Sequence, residues 1–322
     1  MAATSVLIIE LLDGLGAHEA DAALRLRTMR CAGRPARTLV LESVVEADAA
    51  SAWHRAAARV VAERPSEAWV AGSHASWRAL ARELPSGLAC AWWPAIVPGS
   101  GDEPEAAPLG AALVAASGAA PIALELAPVR ASRERTPVAL WDGDFVLVPG
   151  PMHGTEGVSL LRAFAEAAAE RPELELVVLA EPQAELTAAA RALGVGWRVH
   201  CAGPAPREAE HTWLATAAAV LLPVSQQVSA GLVLRTLAAG SPLVVDPAAT
   251  GARAVAGWLE AWGMPAPRAT DEALEAALAG EPWVREACER GRTLAAGHEP
   301  AALAVCFGAQ RGRDDGRARK AA

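Results

Sequence analysis

Residues 226–245 run Gln226-Gln227-Val228-Ser229-Ala230-Gly231-Leu232-Val233-Leu234-Arg235-Thr236-Leu237-Ala238-Ala239-Gly240-Ser241-Pro242-Leu243-Val244-Val245. A polar loop leads into a short apolar helix that Gly240 stops, and Pro242 opens a buried strand. In a parallel sheet this order aims the free N–H groups of the helix N-terminus into a crevice at the carboxyl edge. Anions bind there without any special side chain. Ser229, Ala230 and Gly231 would supply those N–H groups, with Gln227 just ahead of them.

The same alternation extends in both directions. Val6 to Ile9, Thr38 to Leu41, Trp69 to Ala71, Leu88 to Trp92 and Ile122 to Leu126 read as strands. Helical stretches over about 17–32, 47–63 and from Ser73-His74 onward separate them. A second series has strands at 145–149, 174–179, 197–201, 219–222 and 242–245, with helices over about 158–170 and up to about 193. Further helices pass through Leu259, Leu274, Val284 and Leu303. Buried strands joined by helical crossovers predict an α/β protein with parallel sheets covered on both faces. The Pro-rich, basic stretch 127–143 divides the series, predicting domains over 1–135 and 136–310, with 311–322 a disordered tail. The Pro-, Gly- and acid-rich stretch 94–108 reads as a surface loop.

Gly150-Pro151-Met152-His153-Gly154-Thr155-Glu156-Gly157 follows one strand of the second series and opens a helix. Glycines there let backbone approach a ligand, or merely serve the strand-to-helix turn. The spacing matches neither a Walker loop nor the dinucleotide fingerprint. Gly14-Leu15-Gly16-Ala17-His18 is a comparable turn after the first strand. Its His18 either faces a ligand or sits in a solvated first helical turn.

Several segments resemble the GT-B glycosyltransferases of the large retaining family 4, in order and spacing over residues 145–260. They are Gly150 to Gly157 with Leu160-Leu161-Arg162-Ala163-Phe164, Arg198-Val199-His200-Cys201-Ala202-Gly203, Ala217 to Pro223, and Leu237 to Val245. The resemblance implies two Rossmann-type, doubly wound domains facing across a cleft, the final helices crossing back onto the first. It implies a hexosyltransferase that takes a sugar from a nucleotide-sugar donor to an unknown acceptor, with retention, no metal and no cofactor. Gly150, Gly154, Gly157, Ser229, Ala230 and Gly231 would hold the donor phosphates, and Gly14, Gly16 and His18 would lie on the acceptor side. His74, after the third strand, and His153, in the donor loop, would lie near the reacting sugar. Capping is the alternative for Ser73-His74.

The chain departs from the family at four places. The diphosphate arginine and lysine fall on Pro151 and Glu156, and the two glutamates that bond the sugar and ribose hydroxyls fall on Gln227 and Arg235. Each lost charge-assisted contact forfeits about 1.5–3 kcal/mol. Arg235 could return cationic charge or simply cap the surface. These losses keep open a second reading, a catalytically degenerate relative that acts as a partner subunit or binding module. A sugar-nucleotide epimerase of the same fold is a third.

Composition sets outer bounds. With 322 residues, 52% of them hydrophobic, the chain can build two ordinary cores. A net charge of −8 argues against a nucleic-acid partner. No apolar run reaches the roughly 18 residues of a membrane span, and Met1 to Ser5 lacks the basic start of a signal peptide, so a cytoplasmic protein is expected. Cys31, Cys90, Cys201, Cys288 and Cys306 are too scattered for a zinc site and read as buried thiols. Eleven Trp, no Tyr and one lysine, Lys320, mark a GC-rich coding bias, under which Trp takes on ordinary core work.

Overall fold

The computed structural model describes residues 6–12, 19–42, 49–72, 74–85, 87–94, 112–113, 122–123, 141, 143–205, 207–224, 230–249, 251–261, 264–265 and 268–297. In the first sheet, β1 (Val6–Leu12), β2 (Ala36–Glu42), β3 (Glu67–Gly72) and β4 (Ala89–Pro94) lie in the order β2-β1-β3-β4, all parallel. The crossovers are α1 (Glu19–Cys31), α2 (Ala49–Ala62) and α3 (His74–Glu83). The chain steps one way from β1 to β2 and then back past β1 to β3 and β4. Right-handed crossovers therefore place α1 on one face and α2 and α3 on the other.

The core of this unit is the run Val6 to Ile9, buried on both faces, with Met29, Val60, Val70, Leu80 and Cys90. Trp69 is buried in it as an ordinary core residue. Of the strand expected over 122–126, Ile122–Ala123 is described, as β6, paired antiparallel with β5 (Ala112–Leu113) outside the parallel sheet; residues 124–126 lie outside the described residues.

In the second sheet, β7 (Phe145–Val148), β8 (Glu175–Val178), β9 (Val199–Cys201), β10 (Ala219–Leu222) and β11 (Leu243–Val245) are ordered β11-β10-β7-β8-β9, again all parallel. The helices α4 (Gly154–Glu170) and α5 (Ala184–Ala192) lead to β8 and β9. The helices α6 (Arg207–Thr216) and α7 (Ala230–Ala239) lead to β10 and β11. Direction reverses between β7 and β10, which makes the crevice beyond their carboxyl ends the switch point where ligands of such sheets bind.

Among the described residues three helices follow β11: α8 (Ala252–Ala261), α9 (Thr270–Ala279) and α10 (Pro282–Gly297). Val284 of α10 joins the cluster beneath α4, whereas its Leu294 and Ala295 join the cluster of α7. The described last helix thus wraps the β11 side of its own domain. The boundary predicted near 135, the surface loop over 95–108 and the tail from 311 lie outside the described residues.

Three sequence expectations need correction. Helix α4 begins at Gly154 and not near 158, because Gly154 takes φ +55° and turns the chain into the helix at once. The strand expected over 197–201 keeps only its last three residues, since a 3-10 turn takes Gly196–Arg198. Among the described cysteines only Cys90 is buried; Cys31, at the end of α1, is exposed, and Cys201 and Cys288 are intermediate.

Candidate functional site

Beyond the carboxyl ends of β7, β8 and β9 lies a cavity of about 410 Å³. Pro149, Gly150 and Pro151 line it after β7, Leu179 to Gln183 after β8, Pro204 and Ala205 after β9, and Glu210 from α6. Gly150 is the one predicted donor-loop glycine that meets this space. The other two serve the backbone. Gly154 holds its left-handed φ, and a Cβ on Gly157 would stand 3.1 Å from Cβ of Met152, so this position keeps α4 close to its own entry loop.

Glu156, where the resemblance implies a lysine, is 5% exposed in the first turn of α4. Its Oε1 accepts the backbone N–H of Val224 at 2.5 Å. Val224 is the second residue after β10, and its carbonyl accepts the N–H of Gly251 at 2.8 Å. The carboxylate therefore fixes the end of β10 against α4, across the switch point. A negative side chain is favoured there by the exposed N–H groups of the helix start. His153, the residue ahead of the helix, is exposed and makes no side-chain cap.

Arg235 belongs to a second cross-element tie. Its Nε lies 2.9 Å from Oε2 of Glu210, and Nη2 lies 3.4 Å from Oε1, with each side chain 13% exposed. The pair joins α7 to α6 at the cavity wall. Beside it, burial pushes the His211 imidazole below the ordinary histidine range, and the Glu210 charge only partly opposes this.

Ala230 and Gly231 open α7, as the sequence predicts, and Gly231 is buried. Gln227 and Ser229, with Gly14, Gly16 and His18, lie outside the described residues. His74 is the first residue of α3; its side chain and Ser73 are likewise outside. The structure thus gathers Gly150, Pro151 and Glu210 around one cavity, holds Arg235 against Glu210, and ties Glu156 to the end of β10 instead.

Sequence reasoning missed Glu210, Glu181 and Gln183. The one available signal was position. Glu181 and Gln183 follow β8 at its carboxyl end, and Glu210 lies near the start of the helix after β9, the edge where such sheets bind ligands.

Neither a family model nor a curated protein matches the sequence. Solved structures do match in shape. MnaA of S. aureus, solved with UDP, superposes with a TM-score of 0.59 at 11% identity, over 94% of each chain. AviGT4, a glycosyltransferase involved in avilamycin A biosynthesis, gives 0.55 at 18% identity, over 96% of this chain and 97% of its own. The UDP-GlcNAc 2-epimerase of Neisseria meningitidis, bound to UDP-GlcNAc, gives 0.54 at 11% identity, over 96% of this chain and all of its own. At such identities the likeness shows the fold alone, and that fold is GT-B-like: two Rossmann-like α/β units, each with its own parallel sheet.

Proposed function

We propose that this chain binds a nucleotide sugar at the carboxyl edge of its second sheet and transfers the sugar to an acceptor, with retention and without a metal. The observation that carries this reading is the 410 Å³ cavity beside the switch point, walled by the segments that follow β7, β8 and β9 and by Glu210, which is paired with Arg235 of α7. Its size suits a nucleoside. The N-terminus of α7 supplies N–H groups for phosphate without a lysine, which accommodates the loss of cationic side chains at Pro151 and Glu156.

One observation supports the second reading, a degenerate relative that binds without turnover. Glu156 places a buried carboxylate across the crevice where the resemblance implies a cation for the leaving diphosphate. Like charges in that space oppose build-up of negative charge on a leaving group.

Thermal unfolding of the purified chain with UDP, GDP, ADP and their common sugar conjugates tests the binding. A ligand at 100 times its Kd adds about 2.7 kcal/mol. A nucleotide-selective shift is expected. No shift with any of them would refute the proposal. A shift without donor hydrolysis, transfer or epimer formation would support the degenerate reading instead.

A further inference from the structure

The chain as a whole carries a net charge of −8, yet one face of its first domain runs the other way. Helices α2 and α3 pack side by side on one face of the first sheet, and His54 Nδ1 of α2 stands 3.4 Å from Oε2 of Glu83 at the end of α3. Ala56, Ala57 and Val60 of α2 and Leu80 of α3 turn inward and are buried. On the outer side stand Arg55 and Arg59 of α2 and Arg78 and Arg82 of α3, all exposed. Each pair is four residues apart, so its members are neighbours on one helical face.

Other arginines of this domain are engaged: Arg25 with Glu10, Arg34 with Glu67 and Arg37 with Glu63. Arg55, Arg59, Arg78 and Arg82 have no ion-pair or hydrogen-bond partner among the described residues. The one carboxylate that α2 and α3 carry is Glu83, and His54 stands against it. Around the arginines, the exposed surface of α2 is made of Ala58, Val61 and Ala62. Such a face lacks the large apolar or aromatic anchor on which a specific protein interface depends. A layer of anionic headgroups needs no anchor. Its lipids move sideways to meet each guanidinium, whose planar fork matches phosphate oxygens, and every cation near the layer adds to the attraction.

We propose that the outer face of α2 and α3 docks on an anionic lipid bilayer through Arg55, Arg59, Arg78 and Arg82. The contact is peripheral. No described helix is long and apolar enough to cross a membrane, and Val61 is the one large apolar side chain exposed among the described residues of this domain. Salt therefore weakens the docking, since charges at an open surface act over a Debye length of about 8 Å at physiological ionic strength. The face lies on the first sheet and owes nothing to the cavity of the second, so the docking stands whether or not a nucleotide binds there.

The test is co-sedimentation of the full chain with vesicles of phosphatidylcholine alone and of an equal mixture with phosphatidylglycerol, at low and at high salt. The wild type is expected on the mixed vesicles at low salt, and neither on phosphatidylcholine nor on the mixture at high salt. At about fivefold per arginine, Arg55→Gln with Arg59→Gln lowers the partition coefficient about 25-fold, and Arg78→Gln with Arg82→Gln does the same. All four together lower it several hundredfold. Arg27→Gln with Arg30→Gln takes the same charge from exposed positions of α1, on the other face of the sheet, and changes the coefficient by less than about twofold. If the fourfold variant does not fold, the two paired variants carry the comparison, each checked by a melting temperature equal to that of the wild type. A wild type that stays off the mixed vesicles, or α2 and α3 variants that bind them as well as the α1 variant does, would overturn the proposal. Salt-sensitive binding of poly-glutamate without vesicle binding would overturn it in favour of an acidic protein partner.

Discussion

Replacing Glu156 by alanine removes an acceptor and a charge from one place. Val224 is 0% exposed and its N–H donates to Glu156 Oε1 at 2.5 Å, so in Glu156→Ala that N–H is left buried without this acceptor. An unsatisfied buried donor costs about 1–3 kcal/mol, and loss of a negative charge from the first turn of α4 adds about 0.3–1 kcal/mol. Glu156→Ala is therefore expected to destabilise the second domain by about 2–3 kcal/mol, and Glu156→Gln, which keeps an acceptor, by about 1 kcal/mol. At about 2–4 °C per kcal/mol for a domain of this size, the alanine variant melts roughly 4–12 °C lower. Urea unfolding gives the energies, and hydrogen exchange of the segment around Val224 gives the local reading. Its amide is slow in the wild type, faster in the glutamine variant and fastest in the alanine variant. An alanine variant within about 0.5 kcal/mol of the wild type, with exchange near Val224 unchanged, would refute the account of Glu156 as a tie across the crevice.

Two glycines make an opposed pair. A Cβ on Gly291 of α10 would stand 2.8 Å from Leu237 Cδ2 and 3.3 Å from its Cβ, whereas one on Gly257 of α8 meets nothing within 4 Å among the described residues. Gly291→Ala is expected to cost about 1–3 kcal/mol by parting α10 from α7, and Gly257→Ala to gain about 0.5–1 kcal/mol; urea midpoints of the same sign for both would contradict the packing. Burial holds His211 below its ordinary range, so the unfolded chain takes up a proton near pH 6.5 before the folded one does. Stability is then fullest above that pH and falls as the pH drops through it, and His211→Gln is expected to flatten the fall between pH 7.5 and 5.5. Equal slopes in the two proteins would exclude His211 as its source.

Much of this architecture was legible because alternation and punctuation are local. Pro242 and Gly240 frame β11 and the end of α7 where they were expected, and the runs over 6–9, 69–71 and 219–222 lie within strands. The start of α4 was not legible, since a glycine ahead of a helix reads as loop until its φ is known. Helix α6 was missed because Arg207-Glu208-Ala209-Glu210-His211 carries little apolar pattern to announce it. The site is harder still. Glu156 meets Val224 across 68 positions and Arg235 meets Glu210 across 25. Such ties depend on strand order, and no spacing rule within one element shows them. The resemblance pointed to the loop after β7 and the start of α7, but it gave no partners for Glu156 and Arg235.

Strand order also decides which parts of the molecule can pair with a neighbouring chain. In the second sheet one border strand, β9, has three residues. The other, β11, is as short and has α9 packed against it, with Val284 and Cys288 of α10 nearby. Neither presents a long row of backbone groups, and shortness and helical cover are two means by which sheets escape edge-to-edge growth. The first sheet ends on the seven-residue β2 and the six-residue β4. Among the described residues the protection there is chemical, apart from the contact of β5 with β4: Arg37 on β2 is tied to Glu63 at 2.7 Å, and Pro94 terminates β4. Templated self-association of a partly unfolded molecule therefore has its foothold in the first domain, and it is held off there by a charge and a proline.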